Sequence, residues 1–190
     1  ANQKVNALIG MAKDEDLDIL VVPECRLAAE HTISMRASAV ACGWTLSIDP
    51  ANCVLNSANA PVHGVCILHN WDAVDDFNPF AATDPGRVTI IRAHRSGGLR
   101  PLRIAGVYLD ASSKEGAINL AERVALYLLT LGDDSLIIGD FNVPQEALAK
   151  LEMLGWRGAD RVDPDPTRVT ARTNCLDYAF TSPRRETGVM

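Results

Sequence analysis

No long apolar run occurs in this sequence. Its 190 residues are 47% hydrophobic and 22% charged, yet no stretch approaches the ~20 consecutive apolar residues of a membrane span. Internal repeats, linkers and low-complexity tracts are absent as well. The composition therefore argues against a disordered or membrane-spanning chain, and it predicts a single domain over residues 1–190 with a sizeable core.

The sequence also lacks the histidine and cysteine spacings of a zinc site. It shows neither a His-x-x-x-His nor a Cys-x-x-Cys pattern. We expect each histidine to be a surface residue or a satisfied structural one, and the scattered cysteines to be reduced core thiols, which favours an intracellular reducing compartment. These residues are His31, His63, His69 and His94, and Cys25, Cys42, Cys53, Cys66 and Cys175.

An excess of positive charge is missing too. The formal net charge is −6, which argues against a strongly basic clamp for nucleic acid, because affinity for a duplex depends largely on Lys and Arg. One basic stretch is present, and it is expected to flank a strand hairpin that turns at Gly97 and Gly98. It is either a phosphate-binding surface or a solvated hairpin face. Its members are Arg87, Arg92, His94, Arg95, Arg100 and Arg103.

Apolar periodicity predicts alternating helices and strands. Apolar residues at helical spacing predict helices over residues 3–14, 28–42, 115–131 and 145–154. Short apolar runs predict strands over residues 19–22, 44–48, 64–68, 88–92 and 102–108. This mixture is typical of a layered α/β fold. Loops are expected at 52–61, 72–85, 110–114 and 163–167, and the first three would set substrate specificity.

The most informative motif is SLIIGDFN, Ser135 to Asn142. It begins as an apolar strand and ends in Gly-Asp-x-Asn. Because side chains alternate along a strand, Asp140 and Asn142 are expected on one face and Phe141 on the other, toward the core. The motif predicts either a simple turn or a pair of polar ligands suited to metal-assisted phosphoryl chemistry.

Two further acids accompany strands. LDILVVPE places Glu24 at the end of an apolar strand, directly after Pro23. NCLDYAFT places Asp177 inside an apolar and aromatic strand pattern. A carboxylate in such a strand needs a partner, because burying an unpaired charge is costly.

Together these motifs resemble the endonuclease/exonuclease/phosphatase superfamily. LDILVVPE is similar to its strand that ends in a metal-binding glutamate, although Pro23 stands where Gln is usual. HGVCIL is similar to its GVAIL strand, RIAGVYLDA to its strand with a YxPN loop, SLIIGDFN to its GDFN motif and NCLDYAFTS to its IDYIF strand. The resemblance covers nearly the whole chain. It implies a DNase I-like four-layer α/β sandwich, in which two β-sheets are flanked by helices.

The resemblance also implies roles for individual residues. Glu24 would bind a divalent cation, normally Mg²⁺ or Mn²⁺, and Asp140 would orient or deprotonate the attacking water. Asn142 would supply a neutral donor to the phosphate or the nucleophile, and Tyr108 would donate to a non-bridging oxygen or else be a half-buried strand aromatic. Asp177 would orient the catalytic histidine.

Two departures from the family pattern affect the expected activity. The asparagine at the end of the family's first strand has no confident counterpart, since Asn2 is too close to the first helix, and no histidine follows His94. The family's first and last strands are therefore expected to be missing, which would leave open sheet edges for a protein partner to cover.

Two alternative functions are therefore expected. Nucleic acid or another phosphodiester is the expected substrate of a magnesium-dependent hydrolase domain, weak or inactive as this chain. The alternative is a catalytically degenerate fold that serves as a structural or binding subunit of a larger assembly.

Overall fold

Helices and strands alternate in the computed structural model, which describes residues 2–48, 54–55, 61–97, 99–158 and 177–183. The helices are α1 (Asn2–Asp14), α2 (Ala29–Ala41), α3 (Lys114–Leu131) and α4 (Ala149–Met153). The first six strands are β1 (Ile19–Pro23), β2 (Thr45–Ser47), β3 (Val54–Leu55), β4 (Pro61–Val62), β5 (Val65–His69) and β6 (Ala73–Asp75). The others are β7 (Val88–Ala93), β8 (Leu102–Tyr108), β9 (Asp134–Asp140), β10 (Arg157–Gly158) and β11 (Asp177–Thr181).

The three long helices confirm the sequence predictions within one residue at either end. In α1 the apolar face buries Val5, Ile9 and Ala12. At the start of α3 the Ser113 hydroxyl oxygen accepts a hydrogen bond from the Gly116 backbone N–H at 3.0 Å. That bond satisfies one of the backbone donors that the first turn of a helix leaves unpaired.

The predicted helix over residues 145–154 is wrong in detail, because two shorter elements occupy it. A 3₁₀ turn over Gln145–Leu148 precedes α4. Leu148 ends the 3₁₀ turn and Leu151 lies in α4, and both are buried. Both leucines belong to the core beside α3.

Two sheets provide the framework. The larger has the strand order β10-β11-β9-β8-β7-β6, and the smaller has the order β1-β5-β2. Strands β8 and β9 are parallel and are connected through α3, whereas the other paired strands of both sheets are antiparallel. Strands β3 and β4 form a separate two-stranded ribbon.

The sheets stack face to face between helices, as the resemblance predicted. Ile67 of β5 packs with Ile91 and Ile104 of the larger sheet. Helices α1 and α2 cover the other face of the smaller sheet, and α3 and α4 cover the other face of the larger one. The order of layers is helix, sheet, sheet, helix, so the predicted α/β sandwich is confirmed.

Two predicted loops contain short strands. The segment 72–85 includes β6, which pairs with β7, and the segment 52–61 includes β3 and the first residue of β4. Two or three residues are too few to produce a periodic pattern, and Val74 at the centre of β6 is exposed. The predicted loop at 163–167 lies outside the described residues.

Each of the two sheets has two edge strands. The larger sheet ends at β6 and β10, and the smaller ends at β1 and β2. In the described ranges, no strand precedes α1 and none follows β11. None of the described helices combines the length and the apolar character that crossing a membrane requires.

Candidate active site

Glu24 is held at the end of β1 by a strained turn. Its φ is 50°, in the left-handed region that non-glycine residues adopt rarely. The turn is fixed from the other side, because the Cys25 N–H donates to the Gly64 carbonyl at 3.0 Å and the Arg26 N–H donates to the His63 carbonyl at 2.9 Å. Since β1 and β5 are antiparallel, the end of β1 lies beside the start of β5.

Tyr108 connects Glu24 to the larger sheet. It is the last residue of β8 and is largely buried, and its hydroxyl donates to Glu24 Oε1. Burial, followed by the bond to Glu24, raises the pKa of Tyr108 to about 12. The phenol therefore stays protonated near neutral pH and acts as a hydrogen-bond donor.

Asp140 lies next to Tyr108 at the same edge. Strands β8 and β9 are parallel and in register at these two residues, so both strands end together. Phe141 is fully buried in the core, whereas Asp140 is partly exposed. The predicted burial of Phe141 is therefore confirmed, whereas Asn142 lies beyond the end of β9 with a φ of 51° and so does not continue the strand alternation.

Asn142 is tied to the backbone around it. Its φ is 51°, its N–H donates to Asp140 Oδ1 at 2.9 Å, and its Nδ2 donates to the Leu109 carbonyl at 2.8 Å. One hydrogen of the amide that was predicted to bind phosphate is thus directed to Leu109. The amide joins the ends of β8 and β9.

Asp177 enters the same region from a third strand of the larger sheet. It begins β11, and its backbone pairs with that of Asp140. The structure therefore brings four of the predicted residues to one sheet edge as backbone positions, namely Tyr108, Asp140, Asn142 and Asp177. Glu24 reaches that edge from the smaller sheet.

His63 differs from the expectation of a surface or structural role. It precedes β5 with a φ of 62°, and its ring centroid lies 5.9 Å from that of Tyr108. Burial, followed by the charge of Arg87, lowers the pKa of His63. The sequence carries no local signal for this position, because it depends on the antiparallel pairing of β1 with β5, which places the start of β5 beside Glu24.

Arg87 is a second site residue that the sequence did not single out from its basic stretch. Its guanidinium carbon lies 5.0 Å from the centre of the Tyr108 ring, within cation–π distance. Nη2 lies 3.5 Å from Asp110 Oδ2 and 3.5 Å from His63 Nε2. Arg87 thereby joins the end of β8 to the segment before β5.

The other histidines fit the predicted structural or surface roles. His69 is fully buried, with Nδ1 3.2 Å from the Trp71 carbonyl and Nε2 3.3 Å from the Ser47 hydroxyl. Those partners are satisfied by a neutral ring that carries its hydrogen on Nδ1. His31 and His94 are partly or fully exposed.

The basic stretch pairs largely with acids. Arg103 bonds to Asp76 at 2.7 Å and also to Asp133, while Arg95 bonds to Asp134. These pairs lie along the β7–β8 hairpin, which confirms the predicted strand pairing. Arg103 is therefore occupied by carboxylates, which is a structural role.

The donor chemistry of the edge fits a hard cation. No three His, Cys, Asp or Glu side chains in the described part of the chain cluster closely enough to form an all-protein metal cage. Mg²⁺ needs only one or two carboxylates, since waters and substrate phosphates complete its shell. Glu24, whose side chain is 44% exposed, and Asp140 offer such oxygens.

Comparisons with known proteins agree with this fold. A scan of family profiles matches residues 1–189 to the Endonuclease/Exonuclease/phosphatase family, and a search of curated proteins finds no match. An AP endonuclease from Archaeoglobus fulgidus superposes with a TM-score of 0.63 at 17% identity, covering 94% of this chain and 81% of that one.

Two other similar structures come from animals. TDP2 from D. rerio, complexed with a single-strand DNA product, has a TM-score of 0.60 at 12% identity and covers 94% of this chain and 76% of that one. The human Nocturnin catalytic domain, with a bound sulfate anion, has a TM-score of 0.61 at 14% identity and covers 95% and 74%. At these identities the likeness shows the fold alone. Because the family profile spans nearly the whole sequence, the chain belongs to the Endonuclease/Exonuclease/phosphatase family.

Proposed function

We propose that this chain is a divalent-metal-dependent phosphodiester hydrolase domain with weak turnover. The observation that carries the proposal is the meeting of Glu24 and Asp140, one from each sheet, around the Tyr108 side chain. Family and fold support hydrolysis of the nuclease or phosphodiesterase type. The metal, the substrate and the roles of single residues belong to the proposal.

Each residue is assigned a role that suits its position. Glu24 would hold Mg²⁺ or Mn²⁺, which polarises the phosphate when bound. Asp140 would accept a proton from the attacking water. Tyr108 donates its single hydroxyl hydrogen to Glu24 Oε1, so it would position the carboxylate that holds the metal. Asn142 would hold the ends of β8 and β9 in line, and Asp177 begins the strand whose backbone pairs with β9 at Asp140.

A nucleic acid is the proposed source of the phosphodiester. This follows from the proteins of similar fold, one called an AP endonuclease and another complexed with a single-strand DNA product. Weak turnover is proposed because none of His31, His63, His69 and His94 lies in a sequence context that matches the family's catalytic histidine, and removing one member of a cooperating catalytic set removes most of the rate.

Magnesium binding tests the site independently of turnover. Calorimetry with MgCl₂ should show binding to the wild type and an affinity reduced by about tenfold or more in Glu24→Gln. Mutating a residue that only hydrogen-bonds to a metal ligand already lowers metal affinity by about tenfold or more, and losing the ligand itself should cost at least as much. Glu30→Gln is the matched control, since Glu30 is exposed on α2. Equal binding by all three proteins would contradict the assignment of Glu24.

Hydrolysis is best measured with enzyme in excess over substrate, because turnover is expected to be slow. A 5′-labelled single-stranded oligonucleotide with Mg²⁺ should be cleaved by the wild type, and Asp140→Asn should reduce the rate by about 10²-fold or more, the usual contribution of a general base. Equal rates in the two proteins would refute the hydrolase proposal.

A degenerate binding subunit is the second candidate. The observation that favours it is the double engagement of Glu24, which accepts from Tyr108 at Oε1 and from Arg26 at Oε2, the latter at 3.3 Å. A protein partner would then cover the outer strands of the sheets. Absence of both magnesium binding and cleavage would select this candidate.

A further inference from the structure

Two arginines of nearly equal burial have different surroundings, Arg87 directly before β7 and Arg103 within β8. The side chains of Arg87 and Arg103 are 13% and 11% exposed. Arg103 bonds to Asp76 Oδ2 at 2.7 Å and bonds to Asp133 as well. Close contacts of this kind compensate the cost of burying a charge. Arg103 is therefore a satisfied structural residue.

Among the described residues, the Arg87 side chain has only long polar contacts. The distances from its guanidinium nitrogens to Asp110 Oδ2, the Tyr108 carbonyl and His63 Nε2 are each 3.5 Å. Hydrogen bonds from N–H to oxygen are usually 2.7–3.2 Å long. Arg87 is thus a largely buried cation whose five N–H donors make only long contacts with acceptors. Its charge is therefore weakly compensated, and a cation in this state is suited to bind an anion.

Asp110 does not supply that compensation. Its side chain is 46% exposed, and its Oδ1 accepts from the Ser112 N–H at 2.9 Å. The hydrogen bonds from Ser112, more than the charge of Arg87, lower the pKa of Asp110. The carboxylate is therefore engaged chiefly with its own turn.

His63 contacts Arg87 at Nη2, the same nitrogen that faces Asp110. Arginine has no acceptor, so the contact requires His63 Nε2 to accept and the ring to be neutral. The backbone of His63 is itself fixed, because its carbonyl accepts from the Arg26 N–H at 2.9 Å. The imidazole is thereby an acceptor on a fixed backbone, 3.5 Å from the guanidinium that lies over the Tyr108 ring.

An open cavity adjoins this pair. It measures about 390 Å³ and is lined by His63, Arg87, Asp110, Ser113 and Leu120, among others. Its size is at the small end of the range for ligand sites. Arg87 faces the cavity on one side and covers the Tyr108 ring on the other, so a phosphate bound there would lie next to the catalytic edge.

We propose that Arg87, positioned by His63, binds a phosphate oxygen of the substrate between the catalytic edge and this cavity. The inference rests on the proposed function for the identity of the anion. Arg87 supplies positive charge at an edge that Glu24 and Asp140 make acidic, and His63 acts as a positioning residue. The bound oxygen belongs either to the scissile phosphate or to its neighbour along a polynucleotide.

Binding of inorganic phosphate in the absence of metal tests the inference separately from magnesium binding and from hydrolysis. Calorimetry should show phosphate binding to the wild type and an affinity reduced by about tenfold or more in Arg87→Gln, since hydrogen bonds to charged groups are the stronger class. Arg87→Lys keeps the positive charge but loses the planar guanidinium with its paired N–H donors. Its phosphate affinity should therefore lie between those of the wild type and Arg87→Gln. Arg92→Gln, at the other end of β7, should match the wild type.

His63 is tested by a conservative and a disruptive change. His63→Gln retains a hydrogen-bond acceptor and should keep most of the phosphate affinity. His63→Leu has no acceptor, so its phosphate affinity should fall to about that of Arg87→Lys. His31→Leu, at an exposed histidine, is the control, and thermal unfolding confirms that each variant is folded. Equal affinity in wild type and Arg87→Gln overturns the phosphate site, and equal affinity in His63→Leu overturns the positioning role.

Two substrates distinguish the two sources of the oxygen. Bis(4-nitrophenyl) phosphate carries only the phosphate to be cleaved, whereas an oligonucleotide carries neighbouring phosphates. If Arg87 binds the scissile phosphate, Arg87→Gln reduces kcat/KM about equally for both substrates. If it binds the neighbour, KM rises for the oligonucleotide alone. Unchanged kcat/KM for both substrates overturns the role in substrate binding and leaves the hydrolase assignment to the Asp140 test.

Discussion

Gly139 precedes the acid of the GDFN motif and is required there by space as well as by backbone conformation. Its φ is 150°, and a Cβ built on it would lie 1.9 Å from the Val107 carbonyl oxygen in the adjacent parallel strand. We expect Gly139→Ala to lower the free energy of unfolding by about 3 kcal/mol or more, because the backbones of β8 and β9 would have to separate. Urea denaturation measures the change.

Gly10 is the control for Gly139. A Cβ at Gly10, inside α1, would meet nothing within 4 Å. Gly10→Ala should therefore stabilise the protein by about 0.5–1 kcal/mol, the usual gain in a helix interior. A Gly139→Ala variant as stable as Gly10→Ala would show that β9 tolerates a side chain at this point.

His69 makes stability depend on pH. Burial is the main cause that lowers its pKa from the ordinary value of 6.5. Below that value the unfolded chain takes up a proton that the folded chain does not, so the free energy of unfolding falls as the pH falls, by at most about 1.4 kcal/mol per pH unit. The loss levels off once the pH passes the lowered pKa of the folded state.

The measurement is a comparison of urea denaturation between pH 7.5 and pH 5 for wild type and His69→Gln. The variant should lose less stability over this interval, since Gln does not titrate. The pKa of His63 is also lowered, but His63 is present in both proteins and cancels in the difference. Parallel stability curves would show that His69 has the same pKa in the folded and the unfolded chain.

At the scale of single residues, the sequence predicted the acids better than the histidines. Strand alternation is local, so it indicated that Asp140 faces away from Phe141, which is buried. His63 has no such local signal. Its nearness to Tyr108 depends on the pairing of β5 with β1 and on the stacking of two sheets, neither of which a periodic pattern specifies.

At the scale of elements, Arg103 joins β8 to two loops at one end of the larger sheet. Its partners are Asp76, after β6, and Asp133, before β9, with side chains 21% and 18% exposed. We expect Arg103→Gln to destabilise the protein by about 3 kcal/mol, because two largely buried carboxylates would lose their common partner. Chemical denaturation provides the value.

Lys150 supplies the contrast for Arg103. It pairs with Glu122 at 3.1 Å, but its side chain is 69% exposed. Lys150→Gln should change the free energy of unfolding by less than about 1 kcal/mol, as is usual for surface pairs. If both substitutions had equally small effects, the Arg103 cluster would be no more than a surface network.

The elements that the sequence predicted well are those long enough to repeat a pattern. Helix α3 shows five turns of apolar periodicity and agrees within a residue of its prediction. Strand β6 has three residues and exists because β7 offers it an edge. The 3₁₀ turn before α4 depends on the packing of Leu148, a contact that helix propensity does not contain.

At the scale of the whole molecule, the distance between the two sheets is set at Gly106. A Cβ there would lie 2.9 Å from Val65 Cγ1 and 3.0 Å from Val21 Cγ1 of the smaller sheet. Gly106→Ala should cost about 1–3 kcal/mol through overpacking. It should also weaken magnesium binding in calorimetry, because moving the sheets apart separates Glu24 from Tyr108.

Gly10→Ala is again the comparison, since it adds the same methyl group outside the sheet interface. A Gly106→Ala protein that is destabilised but binds Mg²⁺ like the wild type would mean that Glu24 holds the ion without help from the larger sheet. The assignment of strands to one sheet or the other was not predictable from the sequence, because apolar strands of both sheets look alike.

The bond between Tyr108 and Glu24 joins residues 84 positions apart in the chain and crosses from one sheet to the other. A nascent chain that has formed only the smaller sheet holds Glu24 without Tyr108 and Asp140, so it lacks part of the proposed site. The proposed reactivity toward phosphate therefore appears only after translation and folding have stacked both sheets. A cell making this protein would be spared from partly made copies that attack its own nucleic acid.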